Sequence, residues 1–212
     1  PVVGNPSVAS NLVWTEDSQR LAWHAGGKVW VWSGTGNTPS VVFEWLPSGD
    51  LYWSPDGNRL LINRVQGATN APAIYQSNPA GTPATLLLEG YQLQGWVDGN
   101  QRMALWRESR LYIAFPDGGS NYLYFNNALV NQDYVFPSPP GNWLAMGATE
   151  GLFLKPVPDG PHTQIPDCGG AVWREDGVRF ACVRSWFPMA RIGDVSSGSP
   201  IITENLDMYG DP

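Results

Sequence analysis

The chain has 212 residues but only two lysines, two cysteines and two histidines. A closed zinc site takes four nitrogen or sulfur ligands, so this inventory is thin for one. Cys168 and Cys182 do not have the spacing of a zinc pair, and His24 and His162 fall in different parts of the chain. No metal site and no His-dependent triad is expected. There is no Gly-x-Ser-x-Gly elbow, which excludes the usual α/β serine hydrolase. No apolar run reaches eighteen residues, so no helix is expected to enter a membrane. Cations are also scarce, 12 Lys and Arg against 19 Asp and Glu, for a net charge of −7. That balance argues against a nucleic-acid partner held on a basic face. No secretory leader is visible and the chain begins at Pro1 rather than Met, as a mature or trimmed chain would.

What is abundant is turn material and tryptophan: Gly 24, Pro 19 and Trp 11. With few charges and no long helical periodicity, this composition points to an all-β, turn-rich chain. The clearest stretch is Leu51-Tyr52-Trp53-Ser54-Pro55-Asp56-Gly57-Asn58-Arg59-Leu60-Leu61-Ile62. It reads as a strand, a tight turn and a second strand. Pro55 presets one turn dihedral, Asp56 can bond its own backbone, and Gly57 supplies positive φ. The same hairpin returns around Trp14, Trp96, Phe136 and Trp173, so the five anchors stand 39, 43, 40 and 37 residues apart. A four-stranded propeller blade of the WD type repeats every roughly 40 to 45 residues.

The Trp53-Ser54-Pro55-Asp56-Gly57 motif resembles the repeats of TolB-type, WD-like β-propellers. Only this copy carries the motif in full, while the others keep the aromatic, the turn and a small-residue second strand. The resemblance covers nearly the whole chain and implies a β-propeller of five four-stranded blades. Their expected spans are 11–46, 50–89, 93–127, 132–166 and 170–204, in a single domain of 1–212 whose termini close the ring. A closed ring would be a monomer, whereas an unclosed array would leave two raw edges. The tail from Asn205 to Tyr209 also reads as the start of a further inner strand, by comparison with Asn11 to Trp14. Trp14 is expected as a core anchor. Val29-Trp30-Val31-Trp32 alternates, and the tryptophan face is expected to pack between blades.

In a propeller, the loops before the inner strand and between the second and third strands share one face around a central channel. Asp50, Gln92, Gln94 and Asp133 are placed at the channel mouth. His24, Arg107, Glu108, Arg110, Trp186 and Phe187 belong to the ring outside it. Two channel carboxylates could act as an acid/base pair or bind a hard cation such as Ca2+, although solvated turn residues explain them as well. Trp186-Phe187-Pro188-Met189 is either a partner platform or a lid over blade five. For the cysteines, a turn centred on Asp176 sets Gly170 opposite Cys182 and makes Cys168 its diagonal neighbour. That geometry permits a disulfide, and two buried free thiols is the alternative.

Propellers host unrelated activities, so the fold alone names none. With no catalytic residue assigned and no cofactor implied, the expected role is a non-enzymatic module. It would present its loop face and channel to a protein or peptide partner. A lectin-like module binding a glycan is the first alternative, although loops this unequal argue against five equivalent sugar sites. A five-bladed glycoside hydrolase using Asp50 and Asp133 is the second. The few lysines and the TolB resemblance place the chain outside the cytoplasm, in the periplasm, on the cell surface or secreted.

Overall fold

The computed structural model describes residues 10–34, 38–44, 49–64, 71–78, 81–98, 101–126, 130–183 and 189–207, the side chains of 131–133, 189 and 207 excepted. Among these residues there is no helix. Twenty strands form five four-stranded antiparallel sheets, each in meander order. This is the five-bladed β-propeller architecture that the repeat implied. Chain contacts divide into two compact units, residues 1–93 and 94–212, with the division inside the ninth strand.

In the first unit, blade one comprises β1 (Ser10–Trp14), β2 (Leu21–Ala25), β3 (Lys28–Trp32) and β4 (Ser40–Glu44). Blade two comprises β5 (Gly49–Trp53), β6 (Leu60–Arg64), β7 (Ala73–Ser77) and β8 (Thr85–Glu89). Ala22, Val29, Val31 and Val42 of blade one pack on Leu51, Leu60 and Ile62 of blade two. Alternation therefore works as expected in β3, but it is the valines that reach the core. Trp30 and Trp32 lie half-buried on the opposite face, where Trp30 stacks on Trp23 and Trp32 meets Trp14 edge-on. Trp14 is 52 % exposed, and its neighbour Val13 packs instead. The physical reason is that a period of two defines two faces without saying which is covered. Within its unit, blade one has a neighbour on the valine side.

The second unit contains most of β9 (Gln92–Val97), with β10 (Arg102–Arg107), β11 (Arg110–Ala114) and β12 (Asn121–Phe125). Blade four is β13 (Val130–Pro137), β14 (Trp143–Ala148), β15 (Gly151–Pro156) and β16 (Thr163–Ile165). Blade five is β17 (Gly170–Trp173), β18 (Arg179–Val183), β19 (Met189–Asp194) and β20 (Ile201–Asp207). Leu144 and Met146 enter the core shared with blade three, whereas Trp143 and Ala145 enter the core shared with blade five. A strand covered on both faces has no polar side, which is why β14 reads as a continuous apolar run. Asn205 and Leu206 pair with Arg191 and Ala190, so this part of the tail extends the outer strand of blade five rather than opening a new inner one. Met208 and Tyr209 lie outside the described residues, as do Val2 and Val3.

The repeated turn also joins blades. Ser54 O accepts from Gly57 N (2.8 Å), and the Asp56 carboxylate accepts from Asn58 N (3.0 Å). Gly57 has φ +67°, and a Cβ there would lie 3.2 Å from the Thr15 methyl of the preceding blade. Gly177, also at φ +67°, sits so close to blade four that a Cβ would meet Pro140 Cδ at 2.4 Å. Glycine is thus demanded twice, by conformation and by blade-to-blade approach. The anchoring indoles add a polar tie. Trp53 Nε1 donates to Val13 O (3.0 Å) and Trp173 Nε1 to Phe136 O (2.9 Å), each reaching the preceding inner strand. In the first unit, Asn63 and Leu93 also exchange a reciprocal pair of bonds at 3.2 and 3.1 Å.

Candidate functional site

Each sheet has two ends. At the turn end lie the hairpins described above, and their aspartates are tied into them. Asp17 accepts from Thr15 Oγ1 (2.6 Å) and Gln19 N (3.0 Å), and both bonds hold its carboxyl below the ordinary range. Hydrogen bonds from Arg174 and from Val178 N bring Asp176 down to about 2. A carboxylate held ionised by several donors makes a firm turn and a poor proton donor. The buried Lys155 is likewise spoken for. Its ammonium donates to Asp159 (2.8 Å) and Gly160 O (2.7 Å) and stands 4.4 Å from the Tyr124 ring.

The opposite, loop ends carry the residues singled out from the sequence. In the first unit, Asp50 is exposed near the start of β5, and Gln92 is buried at 8 % exposure. Gln92 lies on the face of β9 that it shares with the half-buried Gln94 and Trp96, while Leu93, Gly95 and Val97 form the covered face. His24, at the end of β2, is half-buried. Its Nε2 is buried with no hydrogen-bond partner among the described residues. Burial lowers the imidazole below its ordinary value, and the field of Asp50 opposes that shift. Burial, reinforced by Asp50, pushes the Tyr52 hydroxyl up to about 12. No local signal shows that His24 and Asp50 feel one another, since their proximity depends on how two blades pack. His24 and Tyr52 thus share the influence of one exposed carboxylate, Asp50.

In the second unit, Gln94 is half-buried, while Arg107 and Arg110 are exposed and directly opposite one another across the β10–β11 hairpin. The side chain of Asp133, and Trp186 and Phe187 altogether, lie outside the described residues. Tyr134, which sequence reasoning passed over, is 47 % exposed on β13. Cys168 and Cys182 form a disulfide with an S–S distance of 2.16 Å. Its setting differs from the expected register by one residue. Ala171, not Gly170, faces Cys182, because the turn is centred between Asp176 and Gly177 and closed by Arg174 N to Arg179 O (2.8 Å). Among the described residues, no three His, Cys, Asp or Glu side chains gather in a way that could hold a metal ion.

No family model and no curated protein matches the chain. Solved structures do. Putative TolB from Agrobacterium tumefaciens superposes with a TM-score of 0.60 at 16 % identity, covering 95 % of this chain and 82 % of that one. TolB from Acinetobacter baumannii gives 0.60 at 14 % identity, over 93 % of this chain and 55 % of the other. Oligogalacturonate lyase from Vibrio parahaemolyticus gives 0.67 at 11 % identity, over 94 % and 66 %. The chain therefore spans about half to four fifths of these proteins. At such identities the likeness establishes the TolB-type propeller fold, on which both TolB proteins and a lyase are built.

Proposed function

We propose that the chain is a non-catalytic binding module whose loop ends take a protein or peptide segment. The observation that carries this reading is the division of labour between strand ends. Aspartates at the turn ends are tied into the fold, whereas Asp50 in the first unit and Arg107, Arg110 and Tyr134 in the second stand exposed at the loop ends of their strands. Exposed charged and aromatic groups on a rigid scaffold suit recognition. The Cys168–Cys182 disulfide supports an extracytoplasmic location, since disulfides persist in oxidising compartments. The likeness to a lyase keeps an enzyme as the competing reading.

The test is selection from a displayed random peptide library, run beside turnover assays on a panel of glycans. Enriched peptides whose binding is lost on substituting Arg110 or Tyr134, with no turnover, support the module. Glycan turnover that Asp50→Asn abolishes without unfolding the chain would overturn it.

A further inference from the structure

Two buried amides of the first unit have opposite fates. Asn63, 4 % exposed on β6, uses both polar atoms on Leu93: its Nδ2 donates to Leu93 O at 3.2 Å and its Oδ1 accepts from Leu93 N at 3.1 Å. Gln92, the residue before Leu93 on β9, is 8 % exposed, yet its side-chain amide makes no hydrogen bond to the described residues. Burying an amide without a partner is costly, and native structures seldom keep one without a use. Asp50 stands directly opposite Asn63 across β5 and β6, so its side chain leaves the sheet on the face from which Asn63 reaches β9. Gln92 leaves β9 on the face opposite Val97, and Val97 packs on blade four. Asp50 and Gln92 therefore project toward one another between β5 and β9. Tyr52, two residues on from Asp50, shares its face.

We infer that Asp50, Gln92 and Tyr52 form a site for one ammonium group of a peptide, carried by a lysine side chain or by the N-terminus, which deepens and rests on the peptide-binding reading above. An ammonium is a compact charge with three N–H donors, and these side chains offer a carboxylate, an amide oxygen and a hydroxyl oxygen to accept them. Asp50 is exposed and makes no ion pair or hydrogen bond among the described residues, so its charge is available to a partner. Burial keeps the Tyr52 hydroxyl protonated at neutral pH, so it accepts a hydrogen bond without adding a charge. Gln92 is shielded from bulk water, which strengthens its bond to a cation. Arginine's planar fork matches the two oxygens of one carboxylate and leaves the Gln92 and Tyr52 oxygens unmet, so lysine is the better fit. The net charge of −7 draws a basic segment in at long range, and that steering weakens as salt rises.

The experiment is a fluorescence-anisotropy titration of the whole chain with four serine-rich peptides labelled at the C-terminus. Three are N-acetylated and carry one lysine, one acetyl-lysine or one arginine; the fourth has a free N-terminus and acetyl-lysine. The site predicts that the lysine peptide binds about tenfold more tightly than its acetyl-lysine counterpart and several-fold more tightly than the arginine one. Asp50→Asn should lose about tenfold and Gln92→Leu several-fold, with melting temperatures confirming that both variants fold. Glu175→Gln removes the same charge from an exposed turn-end position and should change binding by less than about twofold. Tightest binding of the free N-terminus, lost in Asp50→Asn, supports the site with the N-terminal amine as its source. An arginine peptide that binds as tightly as the lysine one overturns the three-acceptor geometry. Equal binding of the lysine and acetyl-lysine peptides, or equal losses in Asp50→Asn and Glu175→Gln, overturns the site and leaves a peptide-binding module standing. Binding of none of the four overturns the site, and the library selection then decides the wider reading on its own.

Discussion

The turn at Ser54-Pro55-Asp56-Gly57 and the turn at Glu108-Ser109 solve the same problem of reversing a strand, with opposite priorities. In the first, each residue has a local reason: a preset φ, an Asx bond and a glycine at φ +67° that also admits the next blade. In the second, two residues bearing Cβ occupy left-handed backbone between two opposed arginines. The contrast is one of degree, since the repeated turn of blade one also places a residue bearing Cβ, Ser18, at positive φ (+58°), whereas the β10–β11 tip places two in succession.

The comparison can be broken at several points. The largest effect is expected where a loop end is fastened covalently. Cys168 and Cys182 are 14 residues apart, and opening a loop of that length by reduction should cost about 3 kcal/mol, read as a lower melting temperature with reductant. Gly177→Ala should cost nearly as much, about 3 kcal/mol, because its Cβ meets the rigid Pro140 ring in a left-handed conformation. Gly57→Ala should cost about half of that, since the Thr15 methyl at 3.2 Å has room to give, and denaturant melts of the pair separate the two contributions. Trp173→Phe should cost about 2 kcal/mol by stranding Phe136 O. Trp96→Phe should cost less, because its Nε1 is buried with no partner among the described residues.

Two smaller predictions sharpen the contrast. Replacing Glu108-Ser109 with Asn-Gly should raise stability by about 1 kcal/mol, read as a higher melting temperature. His24 should give a weak pH dependence. Its folded pKa is depressed, so below its unfolded value near 6.5 the unfolded chain binds more protons and stability falls as the pH is lowered. His24→Gln should flatten the melting temperature between about pH 5 and 7.

Much of this was legible in the sequence, for identifiable reasons. Strand positions follow from local alternation and from turn residues, and all five hairpins lie where Trp14, Trp53, Trp96, Phe136 and Trp173 announced them. What depends on packing was less visible. Nothing local distinguishes the covered valines of β3 from the half-exposed tryptophans, and nothing local brings His24 under the influence of Asp50. The one-residue difference at Cys182 arose because hairpin register depends on where the turn is centred, and Asp176-Gly177 allows two centres. Asn63 did leave a sign, a lone polar residue ending the apolar run Leu60-Leu61-Ile62, and it proves to bond Leu93 at both oxygen and nitrogen. The β10–β11 tip left another, a two-residue turn without glycine or asparagine.

The most direct test of the division between strand ends is the melting temperature of R107Q/R110Q, measured beside the unaltered chain. The account predicts no loss, with a gain of up to about 1 kcal/mol from relief of the like-charge pair. A clear drop would mean that these arginines hold the fold together, and the distinction between turn ends that build and loop ends that bind would fail.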